Sequence, residues 1–167
     1  EEIAPRAEDL GRTVEEQQSN LIRLCNLENV TICLDNLINR IDLMACLTNT
    51  KASLTINSKE EIFLPNLTSV GGNLFVPFCR NIHLPNLTEV GLTLNATGAS
   101  NIRMPKLEAI GEHLSVERTR SFSALNLKHV GECIFALSSN SLQLQNLEYA
   151  GSDVNVNDTE NAYLPSL

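Results

Sequence analysis

The segment LPNLTSVG at residues 64–71 returns as LPNLTEVG at residues 84–91, and this repetition decides the fold. Looser copies keep the same period of 20 residues and begin at residues 104, 124, 144 and 164. Glycines hold that spacing without a break, at Gly71, Gly91, Gly111, Gly131 and Gly151. A fixed period in this range is typical of a solenoid, in which each coil buries its apolar face only by stacking on the next.

Apolar residues fall at fixed positions of the repeat, which we number so that Leu67 is position 3 and Gly71 is position 7. Positions 3, 6, 10, 12, 18 and 20 are apolar, and polar residues mostly separate position 10 from 12 and 18 from 20. This alternation is typical of short strands with one buried face. The sequence therefore predicts a mainly β protein, a leucine-rich, right-handed parallel β-solenoid with 20-residue coils from about residue 44 onward. Each coil is expected to hold two strands, with positions 3–6 as a third side.

Two kinds of residue mark the corners of the predicted coil. The glycine at position 7 turns the chain either by adopting a positive φ or because no room exists there for a Cβ atom. Asparagine recurs at position 2, and short polar residues recur at position 17. These side chains are predicted to bond their own backbone in turns.

The ends of a solenoid need covering. Residues 34–47 (LDNLINRIDLMACL) place apolar side chains on one helical face, with Thr31 as the N-cap, and predict a helical cap over the first coil. The chain then divides into an acidic extension (1–23), a cap helix with the first strand (24–56) and the repeats (57–167). Because the repeats stop part-way through a frame, we expect either that the natural protein continues or that this end is buried, for instance by self-association.

Composition and motifs exclude several classes of function. The net charge of −8 argues against nucleic acid and other polyanions as partners. Aromatic residues are only 4% of the chain and Trp is absent, so the core is expected to be aliphatic. No apolar run approaches the roughly 20 residues of a membrane span. The histidines fall at unrelated positions, and no metal, phosphate-binding or nucleophile motif is present, so we predict a non-catalytic protein without a cofactor.

A binding surface is expected where side chains of positions 9 and 11 face outward. Phe75 and Phe135 share position 11, three coils apart, which is about 14 Å at the spacing of paired strands. Polar residues complete the predicted face: Asn73, His113, Ser115 and Asn155.

The stretch LPNLTSVGGNLFV at residues 64–76 resembles the fungal GPI-anchored cell-wall organisation and sporulation proteins, themselves similar to the L domains of insulin- and EGF-type receptors. In that family a cysteine-bounded N-terminal helix leads into the first strand. Cys25, the predicted helix, Cys46 and the strand at 54–56 follow the same order. The resemblance implies a Cys25–Cys46 disulfide, which would stabilise the fold by about 3 kcal/mol, and a secreted or wall-associated protein.

Further residues bear on the compartment. Cys79 and Cys133 are predicted to lie too far apart to pair, and Cys133 is the better candidate for an exposed thiol, while a Cys33–Cys79 pair stays open. Five Asn-x-Ser/Thr sequons occur, at Asn29, Asn66, Asn86, Asn95 and Asn157. The sequence therefore favours a secreted or cell-surface module that binds a protein or a glycan. The alternative is an intracellular repeat scaffold or translocated effector that binds a host protein.

Overall fold

The structure, a computed structural model, describes residues 29–33, 47–59 and 61–165. In these residues the regular secondary structure consists of strands, which form three parallel sheets wound into a solenoid of about six turns. Each full coil contributes one short strand to each sheet, and every strand pairs with its equivalents in neighbouring coils. The parallel β-solenoid predicted from the 20-residue period is therefore confirmed.

The strands are assigned to the sheets as follows. Sheet 1 contains β1 (Asn29–Cys33), β3 (Ser53–Asn57), β6 (Leu74–Phe75), β9 (Leu94–Asn95), β12 (Leu114–Ser115), β15 (Ile134–Phe135) and β18 (Val154–Asn155). Sheet 2 contains β4 (Glu61–Phe63), β7 (Asn81–His83), β10 (Asn101–Arg103), β13 (Ser121–Ser123), β16 (Ser141–Gln143) and β19 (Asn161–Tyr163). Sheet 3 contains β2 (Asn49–Thr50), β5 (Ser69–Val70), β8 (Glu89–Val90), β11 (Ala109–Ile110), β14 (His129–Val130) and β17 (Tyr149–Ala150).

The apolar positions of the repeat form the core. From Leu54 to Leu147, the residues at positions 3, 6, 10, 12, 18 and 20 are all almost completely buried. Phe122 is the one aromatic side chain among these buried residues, so the core is aliphatic apart from one ring. The third side of the coil is itself a short strand, sheet 3, at positions 5 and 6.

The glycine corner at position 7 is explained by close packing between coils. A Cβ atom on Gly111 would lie against the carbonyl group of Gly91, with the carbonyl carbon 2.8 Å away, and Gly131 meets Gly111 in the same way. None of the five position-7 glycines has a positive φ. Of the two explanations that the sequence left open, the structure therefore supports the lack of room for a Cβ atom.

A second corner, at position 14, carries the positive φ angles instead. Phe78, Arg118, Ser138 and Asp158 adopt φ between 54° and 59°, and Gly98 adopts 73°. Non-glycine residues pay a conformational cost in this region, so the repeated geometry requires support from the rest of the coil. The backbone N–H of Phe78 donates to the carbonyl of Thr97, and that of Gly98 donates to Glu117.

The recurring asparagines bond across coils, which corrects the prediction that they bond their own backbone. The side-chain amides of Asn86 and Asn146 donate to the carbonyls of Pro65 and Leu125, each 2.7 Å away in the preceding coil. At position 17, Asn101 donates to Asn81 over 2.8 Å. The reason is distance, since successive coils lie about 4.8 Å apart and a short amide side chain bridges that gap.

The N-terminal part of the ladder differs from the prediction. Asn29 of β1 pairs with Ser53, 24 residues later. Sheet 1 therefore begins one coil earlier than the predicted start at about residue 44, and this first step along the sheet spans 24 residues instead of 20. Thr31 lies inside β1, where it pairs with Thr55 of β3, and its prediction as a helix N-cap is therefore wrong. The predicted helix at 34–47 lies outside the described residues except for Leu47, which is buried and in neither a helix nor a strand. Cys25 and Cys46 also lie outside them.

Cys79 and Cys133 are free thiols, as their predicted separation requires, and the open possibility of a Cys33–Cys79 bond is not realised. Burial raises the pKa of the Cys79 thiol to about 11, although a backbone hydrogen bond from Ser58 acts in the opposite direction. Cys133 is half-buried, at position 9 of sheet 1.

We expect these two cysteines to react differently with iodoacetamide at pH 8. The thiolate is the reactive form, so Cys79 should resist alkylation while Cys133 is modified in the folded protein. Peptide mapping after a short exposure measures both sites, and labelling in urea supplies the fully reactive control. Equal labelling of the two sites without urea would contradict the buried placement of Cys79.

Candidate binding surface

The predicted face is the outer side of sheet 1. Asn73 and His113 lie at position 9, and the other four predicted residues lie at position 11: Phe75, Ser115, Phe135 and Asn155. All six side chains are half-buried. The fold therefore brings them to one flat ladder, with Asn95 and Ser115 between the two phenylalanines.

At position 9, backbone N–H groups and polar side chains of successive coils form a chain of hydrogen bonds along the solenoid axis. The backbone N–H of Asn73 donates to Ser53 Oγ over 2.9 Å, and the N–H of Thr93 donates to Asn73 Oδ1 over 3.0 Å. The amide nitrogen of Asn73 also contacts Ser53 Oγ at 3.3 Å. Asn73 thus forms hydrogen bonds with both neighbouring coils, and a ligand that bonded its side-chain amide would have to break one of them.

His113, also at position 9, makes a similar contact with the next coil, and its contacts define the tautomer of the ring. Its Nδ1 accepts the backbone N–H of Cys133 over 3.3 Å, and its Nε2 lies 3.1 Å from Glu132 Oε2. The proton of the neutral ring must therefore sit on Nε2, where it is donated to the carboxylate. The ring of Phe135 lies 6.0 Å from that of His113, so the two form a tilted aromatic pair.

The sequons of the chain differ in what their asparagine side chains already contact. Asn95 Oδ1 accepts the backbone N–H of Thr97 over 3.0 Å, and among the described residues its amide nitrogen has no partner. Asn86 donates to Pro65 and accepts from Lys106 Nζ over 2.7 Å. Asn157 is exposed, whereas Asn66 is exposed but engaged and the side chain of Asn29 lies outside the described set.

We expect Asn95 to be glycosylated more completely than Asn86 when the protein is expressed in a eukaryotic secretory host. The reason is that a glycan on Asn86 replaces an amide N–H that bonds Pro65, whereas the Asn95 amide nitrogen has no partner in the part of the chain that the structure describes. Site occupancy is measured by mass spectrometry of glycopeptides, with Asn95→Gln as the control. Protein from such a host without any glycan would count strongly against secretion.

Several exposed aromatic side chains lie outside the predicted face. Phe63 packs on His83 with ring centroids 5.4 Å apart on sheet 2, and His129 stacks on Tyr149 at 4.5 Å on sheet 3. Phe78 is the most exposed, with 68% of its surface accessible. An aromatic or histidine residue at an outward position of sheet 2 or 3 is the sequence signal that identifies the Phe63–His83 and His129–Tyr149 pairs.

Groups that could perform catalysis are sparse in the described part of the chain. There, the contact of His113 with Glu132 is the only one between a basic and an acidic side chain. No three His, Cys, Asp or Glu residues among those described are placed to hold a metal ion. Within the same ranges no helix is long and apolar enough to cross a membrane.

No family model, no curated protein and no solved structure matches this chain. The fold therefore rests on the repeat and on the ladders that it forms. The resemblance to cell-wall proteins stays a prediction.

Proposed function

We propose that this chain is a non-catalytic, secreted or cell-surface module that binds a protein or a glycan through the outer face of sheet 1. The observation that carries the proposal is the geometry of that face, where six parallel strands, from β3 to β18, present their outward side chains in register. A flat, regular ladder of this kind suits an extended partner.

The face combines apolar and polar contacts. Phe75 and the Phe135–His113 pair offer aromatic surface about 14 Å apart, and the half-buried Ser115 lies between them. Aromatic rings lose little conformational entropy on binding and are common anchors of interfaces. A partner that spans both aromatic sites would cover at least four coils.

The proposal includes the finer features that the sequence predicts. These are the right-handed coil, a helical N-terminal cap held by a Cys25–Cys46 disulfide, and membership of a group similar to the fungal cell-wall proteins. The Asn95 sequon supports a secreted protein, because among the described residues its amide nitrogen has no partner that a glycan would replace. The free thiols of Cys79 and Cys133 favour the second candidate, an intracellular scaffold or effector, because thiols persist in reducing compartments.

The double substitution Phe75→Ser/Phe135→Ser tests the face. Affinity electrophoresis in gels that contain soluble β-glucan, mannan or glycol chitin measures binding. We expect the native protein to be retarded, and the affinity of the double variant to be about tenfold lower. Thermal stability should change little, because both rings are only half-buried. Phe63→Ser, on sheet 2, is the matched control and should leave binding intact.

Two outcomes would contradict the proposal. A large loss of stability would show that Phe75 and Phe135 are packing residues. Hydrolysis of any of these polysaccharides, abolished by one acidic substitution, would replace the binding module by an enzyme.

A further inference from the structure

The solenoid itself is nearly balanced in charge, although the chain is acidic. Of the 20 acidic and 12 basic residues (Lys and Arg), the described residues hold 10 and 8. Six of the eight excess negative charges therefore belong to other parts of the chain. The expectation that the net charge excludes polyanions does not transfer to an individual face of the solenoid.

The arginines of the described residues collect on one side of the coil. Arg118 lies at position 14, Arg80 and Arg120 at position 16, and Arg103 at position 19, and all four are exposed. Over residues 78–83, 98–103, 118–123 and 138–143 these positions contain no acidic residue. Within these four coils the nearest carboxylate along the chain is Glu117 at position 13. The flanking coils are acidic instead, with Asp158 and Glu160 at positions 14 and 16 on one side and Glu61 beside Asn81 on the other. Within the described residues none of the four guanidinium groups has an ion pair or a side-chain hydrogen bond.

Backbone hydrogen bonds fix the spacing of these charges. The N–H of Asn101 donates to the carbonyl of Arg80 over 3.1 Å, and the N–H of Ser121 donates to Ser100 over 2.9 Å. Residues 80, 100 and 120 are therefore stacked, and the backbones of Arg80 and Arg120 lie two coils apart, about 10 Å. Arg80 and Arg120 therefore lie on one line parallel to the solenoid axis, with Ser100 between them.

Phe78 adds an apolar surface to the same corner. Its φ of 59° turns the side chain outward, and its ring covers Gly98 in the next coil. A Cβ atom on Gly98 would lie 2.5 Å from Phe78 Cδ1, so the glycine leaves room for the ring. The ring has no aromatic or cationic partner among the described residues and is 68% exposed.

We propose that this Arg–Phe corner, formed by Phe78, Arg80, Arg118 and Arg120, binds a linear polysaccharide that carries uronate groups. The sugar chain runs along the solenoid axis. The guanidinium groups pair with its carboxylates, and the Phe78 ring stacks on the apolar face of a sugar ring. A polymer with a carboxylate at a regular repeat matches arginines at a regular coil spacing. A purely acidic polypeptide such as polyglutamate offers the arginines carboxylates but offers Phe78 no flat apolar ring to stack on.

This surface lies on a different side of the coil from the proposed binding face, and the inference is independent of it. The probe is polygalacturonate in affinity gels, with neutral dextran for comparison. We expect native protein to be retarded by polygalacturonate, less so at high salt. Arg80→Gln/Arg120→Gln should weaken binding about tenfold, and Phe78→Asn about fivefold. Asparagine is chosen because it tolerates a positive φ.

The matched control is Lys51→Gln/Lys128→Gln, which removes the same charge at positions 7 and 4. It should leave the affinity for polygalacturonate unchanged, as should Phe75→Ser/Phe135→Ser. Absence of retardation, or an equal loss in the lysine control, would overturn the proposal. Equal competition by polyglutamate with no effect of Phe78→Asn would show instead a charge-only surface for an acidic protein.

Discussion

Replacing Gly111 with alanine is expected to destabilise the protein by about 3 kcal/mol or more. The added Cβ atom would collide with the backbone carbonyl of Gly91, and a backbone atom in a paired ladder cannot rotate away as a side chain can. Gly111 lies in a central coil, stacked against coils on both sides, so the shift would disturb two interfaces. Thermal and urea unfolding followed by circular dichroism measure the loss.

Gly98→Asn is the matched control for this substitution. Gly98 has a positive φ, which asparagine tolerates, and the three atoms nearest to its new Cβ atom all belong to the exposed ring of Phe78, which can move aside. Phe78, Arg118, Ser138 and Asp158 already hold this conformation at the same position. We expect a cost of about 1 kcal/mol or less. A Gly111→Ala protein as stable as Gly98→Asn would contradict the close stacking of the glycine corner.

Truncation of the buried ring, Phe122→Ala, is expected to cost about 3–5 kcal/mol. Phe122 is completely buried at position 18, where it pairs with Ile102 on one side and Leu142 on the other. Neither neighbour is large enough to fill the space of a benzyl group, so the substitution leaves a cavity. The free energy of unfolding, from urea titrations of both proteins, measures the effect.

Phe122→Leu tests whether the cost of the alanine variant comes from the cavity, because leucine keeps a large apolar side chain at this position. Leucine occupies the same position in the next coil, at Leu142, and we expect a cost of about 1.5 kcal/mol or less. If alanine and leucine cost the same small amount, the ring does not fill the core at this coil.

The candidate surfaces show where prediction from sequence ends. Phe75 and Phe135 could be assigned to one face because both lie at position 11 of a regular strand. The Arg–Phe corner could not, since Phe78, Gly98 and Arg118 share no chemistry and therefore form no recognisable pattern in the repeat. Their common positive φ appears only when the coils are stacked.

The hydrogen bonds between coils could not be predicted from the sequence either. An asparagine beside a proline is typical of a local turn, yet the amide of Asn86 bonds Pro65, 21 residues earlier. Local propensity describes a residue and its near neighbours, whereas in this fold the nearest groups of the adjacent coil are about one period away.

The 20-residue period and the apolar positions by themselves determined the parallel solenoid, its three sides and the residues of its core. They did so because burial depends on periodicity, which is a property of the chain alone. The tertiary structure decided three further features: the packing that requires Gly111, the early start of sheet 1 at β1, and the gathering of Arg80, Arg118 and Arg120 around Phe78. Each depends on the distance between residues of different coils, and that distance exists only after the coils have stacked.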